Sequence, residues 1–210
     1  MRTITALEIQ KRNPNRVNVY LDDQFAFGLA RIVAAWLKVG QKLSDEKVAS
    51  LQEDDAREVA MQKALLFLGY RPRSSAEVRK NLQKHEFSET VIENVLERLQ
   101  RNGLINDTDF ARAWVENRNT FRPRSRRALK VELRQKGLPE ELVHTVLEEN
   151  VDEEALALQA AKKYARKLLS LDWQDFRKKL SGFLGRRGFS YEVIAQVVKQ
   201  VWEETHSAGT

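Results

Sequence analysis

Two stretches of the chain, 51 residues apart, carry the same punctuation. YRPRSSAEVRKNLQKHEFSETVIENVLERL, from Tyr70, aligns without a gap on FRPRSRRALKVELRQKGLPEELVHTVLEEN, from Phe121. Arg71, Pro72, Arg73 and Ser74 fall on Arg122, Pro123, Arg124 and Ser125, while Leu82 and Leu96 fall on Leu133 and Leu147. A further step of 51 carries Leu82, Phe87, Ser88, Val91, Ile92 and Val95 onto Leu184, Phe189, Ser190, Val193, Ile194 and Val197, in a third copy that lacks the RPRS turn. A period of roughly 50 residues marks stacked supersecondary units, so most of this chain is expected to be three copies of one small motif.

Each copy reads as three helices. The first is an apolar-periodic segment such as REVAMQKALLFLGY or TDFARAWVENR, the second follows the RPRS turn, and the third follows a short turn ending in Ser or Pro. Ser74 and Glu77 have the spacing of a capping box, with Pro72 fixing the approach. Phe87 with Ile92, Leu138 with Val143 and Phe189 with Ile194 have the spacing of hydrophobic staples. Phe110 and Trp114, one helical turn apart, are expected in the core.

The first 55 residues differ in kind. TITALEIQ and RVNVYL alternate apolar and polar residues, and QFAFGL follows after Asp22-Asp23, which predicts a three-stranded antiparallel sheet with a hairpin at the aspartates. LARIVAAWL and SDEKVASLQ are expected to be helices, the second capped by Ser44. The fold class is therefore mainly α: tandem three-helix repeats in an elongated array, with a small N-terminal antiparallel sheet plus helices. The expected divisions are residues 1–55 for the N-terminal α+β part, then repeats at 56–105, 106–150 and 151–210.

Charge singles out the second repeat. The whole chain has a formal net charge of +6, yet residues 118–136 alone hold eight Lys/Arg against the single acid Glu132. The helix expected after Ser125, ending at Gly137, opens on Arg126 and Arg127, where the first repeat has Ser75 and Ala76; its Ala128 replaces the helix-favouring Glu77. Cations in a first helical turn cost about 0.3–1 kcal/mol each, because the helix start carries roughly half a positive charge. Exchanging Arg126 and Arg127 for the first repeat's Ser and Ala is therefore expected to leave folding intact or improve it slightly. Arg126, Arg127, Lys130 and Arg134 share one face, with Leu129 and Leu133 turned to the core. A basic run of this kind is often only a solvated face, but the imbalance and the surrendered cap favour an anionic partner. The candidate contact residues are Arg71, Arg73, Arg118, Arg122, Arg124, Arg126, Arg127, Lys130 and Arg134. The loop Lys11–Arg16, with its three cations, is read as a solvated turn before a phosphate contact.

Catalytic chemistry finds little support. With no cysteine there is no thiolate nucleophile or zinc knuckle. His85, His144 and His206 lack metal-ligand spacing. Asp22-Asp23 are turn formers and Asp107 is read as a helix N-cap. No phosphate-binding glycine loop occurs, so neither cofactor nor metal is expected. The start MRTITALEIQ lacks the apolar run of a secretory signal, and no stretch suits a membrane span, so a cytoplasmic, membrane-free and monomeric protein is expected.

The runs YRPRSSAEVRKNL, GLINDTDFARAWVENR and RALKVELRQKGL, in this order and spacing, resemble the RecX family, the bacterial regulators of the RecA recombinase, over about Ala60 to Val201. Residues 1–55 are similar to the N-terminal extension of some members. His85-Glu86 stands where the family commonly has Lys-Gly, and Arg124 to Arg127 where a Gly before the second-repeat helix is frequent. The resemblance implies a non-catalytic modulator lying in the groove of the RecA filament on single-stranded DNA, inhibiting strand exchange, ATP hydrolysis and co-protease action, and so tuning DNA repair and the SOS response. The basic face would then meet RecA carboxylates, DNA phosphates, or both. Direct binding to duplex DNA through the Arg126 to Arg134 helix, and a scaffold for another acidic protein, stay open as alternatives.

Overall fold

Alternation in the first thirty residues builds a sheet with one buried face. In the computed structural model, which describes residues 1–206, β1 (Arg2–Gln10), β2 (Asn13–Leu21) and β3 (Gln24–Ala30) form an antiparallel meander. Asp22 and Asp23 turn the hairpin with φ of 49° and 65°, as a tight two-residue connection requires. A fourth strand, β4 (Lys42–Leu43), pairs with Arg2 and Thr3 at the edge, giving the order β3-β2-β1-β4. Two residues are too short for any periodicity to announce, which is why the sequence predicts only three strands. The expected helix over 29–37 contracts to α1 (Arg31–Ala34), because β3 continues through Ala30 and the chain turns after Ala35. The expected loop at Lys11–Arg16 is only a turn at its first two residues; Arg16 lies in β2, donating to Asp55 at 2.9 Å and to the Gly28 carbonyl at 2.9 Å.

One long helix, α2 (Asp45–Leu68), replaces the two expected ones and runs unbroken across residue 55. Ser44 caps it, accepting from the Lys47 amide, and Asp45 and Glu46 favour its start. Its early turns bury Val48 and Leu51 with Ile4, Val19 and Leu29 of the sheet, whereas its late turns bury Ala60, Met61 and Ala64 in a second core. Two different burial faces make one helix read as two.

That second core is completed by α3 (Ser75–Gln83) and α4 (Glu89–Arg101) through Val78, Leu82, Ile92, Val95 and Leu99. The capping box at Ser74 is present in both directions. Glu86, in the α3–α4 turn, has φ of 61°, and its equivalents Gly137 and Gly188 have 77° and 91°. A left-handed residue after the helix end is what this turn demands, and only the first repeat meets it without glycine.

The chain divides into two compact units after Ile105. The second unit contains α5 (Asp107–Phe121), α6 (Arg126–Gln135), α7 (Glu140–Asn150), α8 (Glu153–Ala165), α9 (Trp173–Gly185) and α10 (Tyr191–His206). The cap of α5 is Asn106, not Asp107: its carboxamide oxygen reaches the amides of Thr108 and Asp109, and Asp107 is the first helical residue. A single apolar cluster runs from Phe110, Leu129 and Val143 to Leu156, Phe176, Leu180 and Val197, so the second and third helix triplets share one core. Among the described residues no strand occurs beyond Leu43, and no helix is long and apolar enough to cross a membrane.

Candidate functional site

The start of α6 is built against the turn that follows α9. Ser125 is fully buried; its hydroxyl accepts from the Ala128 amide at 3.1 Å while its own amide donates to the Arg187 carbonyl at 3.1 Å. A Cβ on Gly188 would lie 2.6 Å from the Ser125 Oγ, so the third triplet approaches this closely only because that residue is glycine. Pinned in this way, the RPRS turn and the first turn of α6 display their arginines from a fixed frame.

Carboxylates of α6 itself and of α7 meet most of those cations. Glu132, 15% exposed at its side chain, receives Arg118 Nε at 2.7 Å and Arg124 Nε at 3.1 Å, and also the Trp114 indole N–H at 2.8 Å. Arg126 donates to Glu148 at 2.8 Å and to the Val151 carbonyl at 2.7 Å, so it ties α6 to the α7–α8 connection. Lys130, at 2.9 Å, and Arg134 share Glu140, whose carboxyl is held below the ordinary glutamate range first by the hydrogen bonds from Lys130 and Arg134 and then by their charges. Among the described residues Arg122 and Arg127, both exposed, make no side-chain hydrogen bond or ion pair. Three carboxylates thus pair with five of these seven cations, and a fourth, Glu153, accepts from the Arg126 backbone amide, so the surface keeps a positive excess.

Trp114 is half-buried against the core formed by Phe110, with Arg118 and Lys136 at 4.6 and 4.8 Å from its ring centre. Phe110 is buried as expected, whereas Trp114 supports cations at the core's edge.

The remaining two candidates lie in the first unit and serve their own turn. Arg71 makes a two-pronged contact with Glu77, at 2.8 and 3.2 Å, and donates to the Pro72 carbonyl. Arg73 lies 4.0 Å over the ring of Phe67. Among the described residues no group of three His, Asp or Glu side chains is placed to hold a metal. The side chain of His206 lies outside the described residues.

Sequence reasoning overlooked Arg187. This half-buried guanidinium donates to the Pro123 carbonyl at 2.7 Å and sits 4.5 Å over Phe183. Burial, then the charges of Arg122 and Arg124, push its pKa down. The dipeptide Arg186-Arg187 lies 50 residues beyond the end of the basic run, and the docking of Gly188 on Ser125 brings it there.

Family models match nearly the whole chain. They are the regulatory protein RecX N-terminal domain over residues 2–44, and the first, second and third RecX three-helix domains over 60–99, 106–147 and 152–198. The regulatory protein RecX of Bacillus subtilis (strain 168) is 32% identical over 205 residues, covering 96% of this chain and 78% of the relative. That of Bacillus pumilus (strain SAFR-032) is 30% identical over 207 residues, covering 97% and 79%. A crystal structure of regulatory protein RecX superposes with a TM-score of 0.72 at 26% identity, covering 94% of this chain and 98% of that one.

Proposed function

Because the chain belongs to the RecX family of regulatory proteins, we propose that it acts as a non-catalytic regulator of the RecA filament on single-stranded DNA. Binding to that filament in the cytoplasm would restrain strand exchange, ATP hydrolysis and co-protease action, and thereby DNA repair and the SOS response. The observation that carries this reading to particular residues is the shortage of carboxylates around α6. Among the described residues Arg122 and Arg127 are exposed and unpaired, and Glu140 answers two cations with one charge. Anions of the filament, whether RecA carboxylates or DNA phosphates, can take up Arg122 and Arg127 without first breaking an internal pair. They can also draw Lys130 or Arg134 from Glu140 at the exposed edge. Arg118 and Arg124, held by the nearly buried Glu132, shape the site and contribute field rather than movable contacts.

The test is fluorescence anisotropy of a labelled single strand, alone and coated with RecA and a non-hydrolysable ATP analogue. The expected result is tighter binding to the coated strand, weakened by Arg122→Ala with Arg127→Ala. If the lost contacts are phosphates, the log–log salt dependence should flatten by about 0.7 per contact; if they are carboxylates, binding to bare DNA should not change. Equal binding of wild type and double variant to the filament would remove this surface from the account.

A further inference from the structure

Beside the α6 start, and distinct from its outward face, the second unit carries a half-open cavity of about 350 Å3. Its wall includes Phe121, Lys163, Tyr164, Lys167, Phe183 and Arg187, and no acidic residue lines it among those described. The C-terminal ends of α5, α8 and α9 all reach this place. Helix ends of that polarity carry about half a negative charge each, which accounts for some cations but not for all of them. Lys163, Lys167 and Arg187 line the wall, and Arg122 and Arg124 act on Arg187 from beside it. Of these five only Arg124 is paired with a carboxylate among the described residues, through Glu132. Like charges that crowd a partly desolvated guanidinium raise the free energy of the empty site and reward an anion that enters it.

The same wall is aromatic. Tyr164 and Phe183 are stacked in parallel, with centroids 4.0 Å apart and an angle of 1° between rings. Arg187 lies over Phe183 as well, 4.5 Å from its centre, and Phe121, a residue 72% exposed, lines the same pocket beside Tyr164. An exposed phenylalanine next to unpaired lysines suits a ligand that is planar at one end and anionic at the other. A volume of 350 Å3 sits at the small end of ligand sites, roughly 300–1,000 Å3, which admits one nucleotide and excludes a duplex.

We propose that this cavity binds a single nucleotide unit, with its base against Phe121 and its phosphate among Lys163, Lys167 and Arg187. The unit is either a free nucleotide or one nucleotide of a single strand whose base has left the stack. The site needs no RecA, so it stands or falls separately from the regulatory reading.

The 210-residue chain is titrated, without RecA, into 2-aminopurine deoxyribonucleoside monophosphate and, separately, into a thymidine decamer carrying one 2-aminopurine. Stacking on an aromatic ring quenches this base. Saturable quenching of the free nucleotide identifies a free-nucleotide site, and quenching confined to the decamer identifies a strand site; either supports the proposal. Phe121→Ala should weaken the quenched complex about tenfold, as loss of one base–aromatic stack does, and Lys163→Ala with Lys167→Ala should weaken it at least as much. Lys84→Ala, an exposed cation of the first unit, should leave it unchanged. Circular dichroism checks that each variant is folded, and all replaced side chains lie on the surface. The proposal is overturned by absence of quenching in both arms, by quenching indifferent to the Phe121 and lysine variants, or by full competition from pyrophosphate or polyglutamate at nucleotide concentrations.

Discussion

Replacing Glu132 by glutamine tests how the basic surface is held together. This carboxylate is the single acid in the densest basic stretch, and it accepts from Trp114, Arg118 and Arg124 at 2.8, 2.7 and 3.1 Å. Glutamine keeps one acceptor oxygen and turns its NH2 toward a guanidinium, so two charge-assisted bonds weaken or disappear. Such bonds are worth about 1.5–3 kcal/mol each. Arg118 and Arg124 are 26% and 34% exposed, so water recovers part of that loss. A net cost of about 2–3 kcal/mol remains. Urea unfolding followed by tryptophan emission measures it, because Trp114, Trp173 and Trp202 belong to the second unit while Trp36 is 87% exposed and hardly responds. A loss below about 0.5 kcal/mol would place Glu132 among ordinary surface ion pairs and refute its role as the anchor of Arg118 and Arg124.

The paired exchange at the α6 start separates into opposite effects. Arg126→Ser should cost about 1–2 kcal/mol, since Arg126 holds Glu148 and the Val151 carbonyl, while Arg127→Ala should gain about 0.3–1 kcal/mol by removing an unpaired cation from a helix start; urea midpoints of the two single variants decide it. Glu86→Gly should stabilise the first unit by about 1 kcal/mol, because Glu86 holds φ of 61° where its equivalents are glycine, and equilibrium unfolding followed by circular dichroism reads the gain. In carboxyl-detected NMR, Glu140 should titrate below the ordinary glutamate range. Because its folded pKa is lowered, its stabilising contribution is present above the unfolded value and is lost as pH falls through the folded one; Lys130→Met should move the titration back up.

Much of the fold is legible because the repeat declares itself through caps. Ser74, Ser88, Ser125 and Ser190 each accept from an amide three residues on, at the positions their spacing predicts. The continuity of α2 is not legible, because its two apolar faces serve two cores and the stretch QEDDAR between them looks like a linker. The basic run is visible as composition, but its neutralisation is not. Glu140 and Glu148 lie beyond Gly137 and reach α6 only through the packing of α7. For the same reason the contacts that argue against a cost-free removal of Arg126 are hidden in the sequence: its partners are 22 and 25 residues away. Arg187 escapes notice because a cation in a glycine-flanked turn looks like solubility until the turn is seen closing on Ser125.

The central claim, that this chain restrains RecA through the cationic surface around Arg122 and Arg127, is tested most directly by RecA-catalysed ATP hydrolysis on single-stranded DNA. Increasing amounts of the wild-type protein should suppress hydrolysis, and the Arg122→Ala, Arg127→Ala variant, shown to be folded by its urea midpoint, should need a markedly higher concentration for the same suppression. Undiminished hydrolysis at saturating wild-type protein would contradict the regulatory account, and equal suppression by the variant would contradict its assignment to this surface.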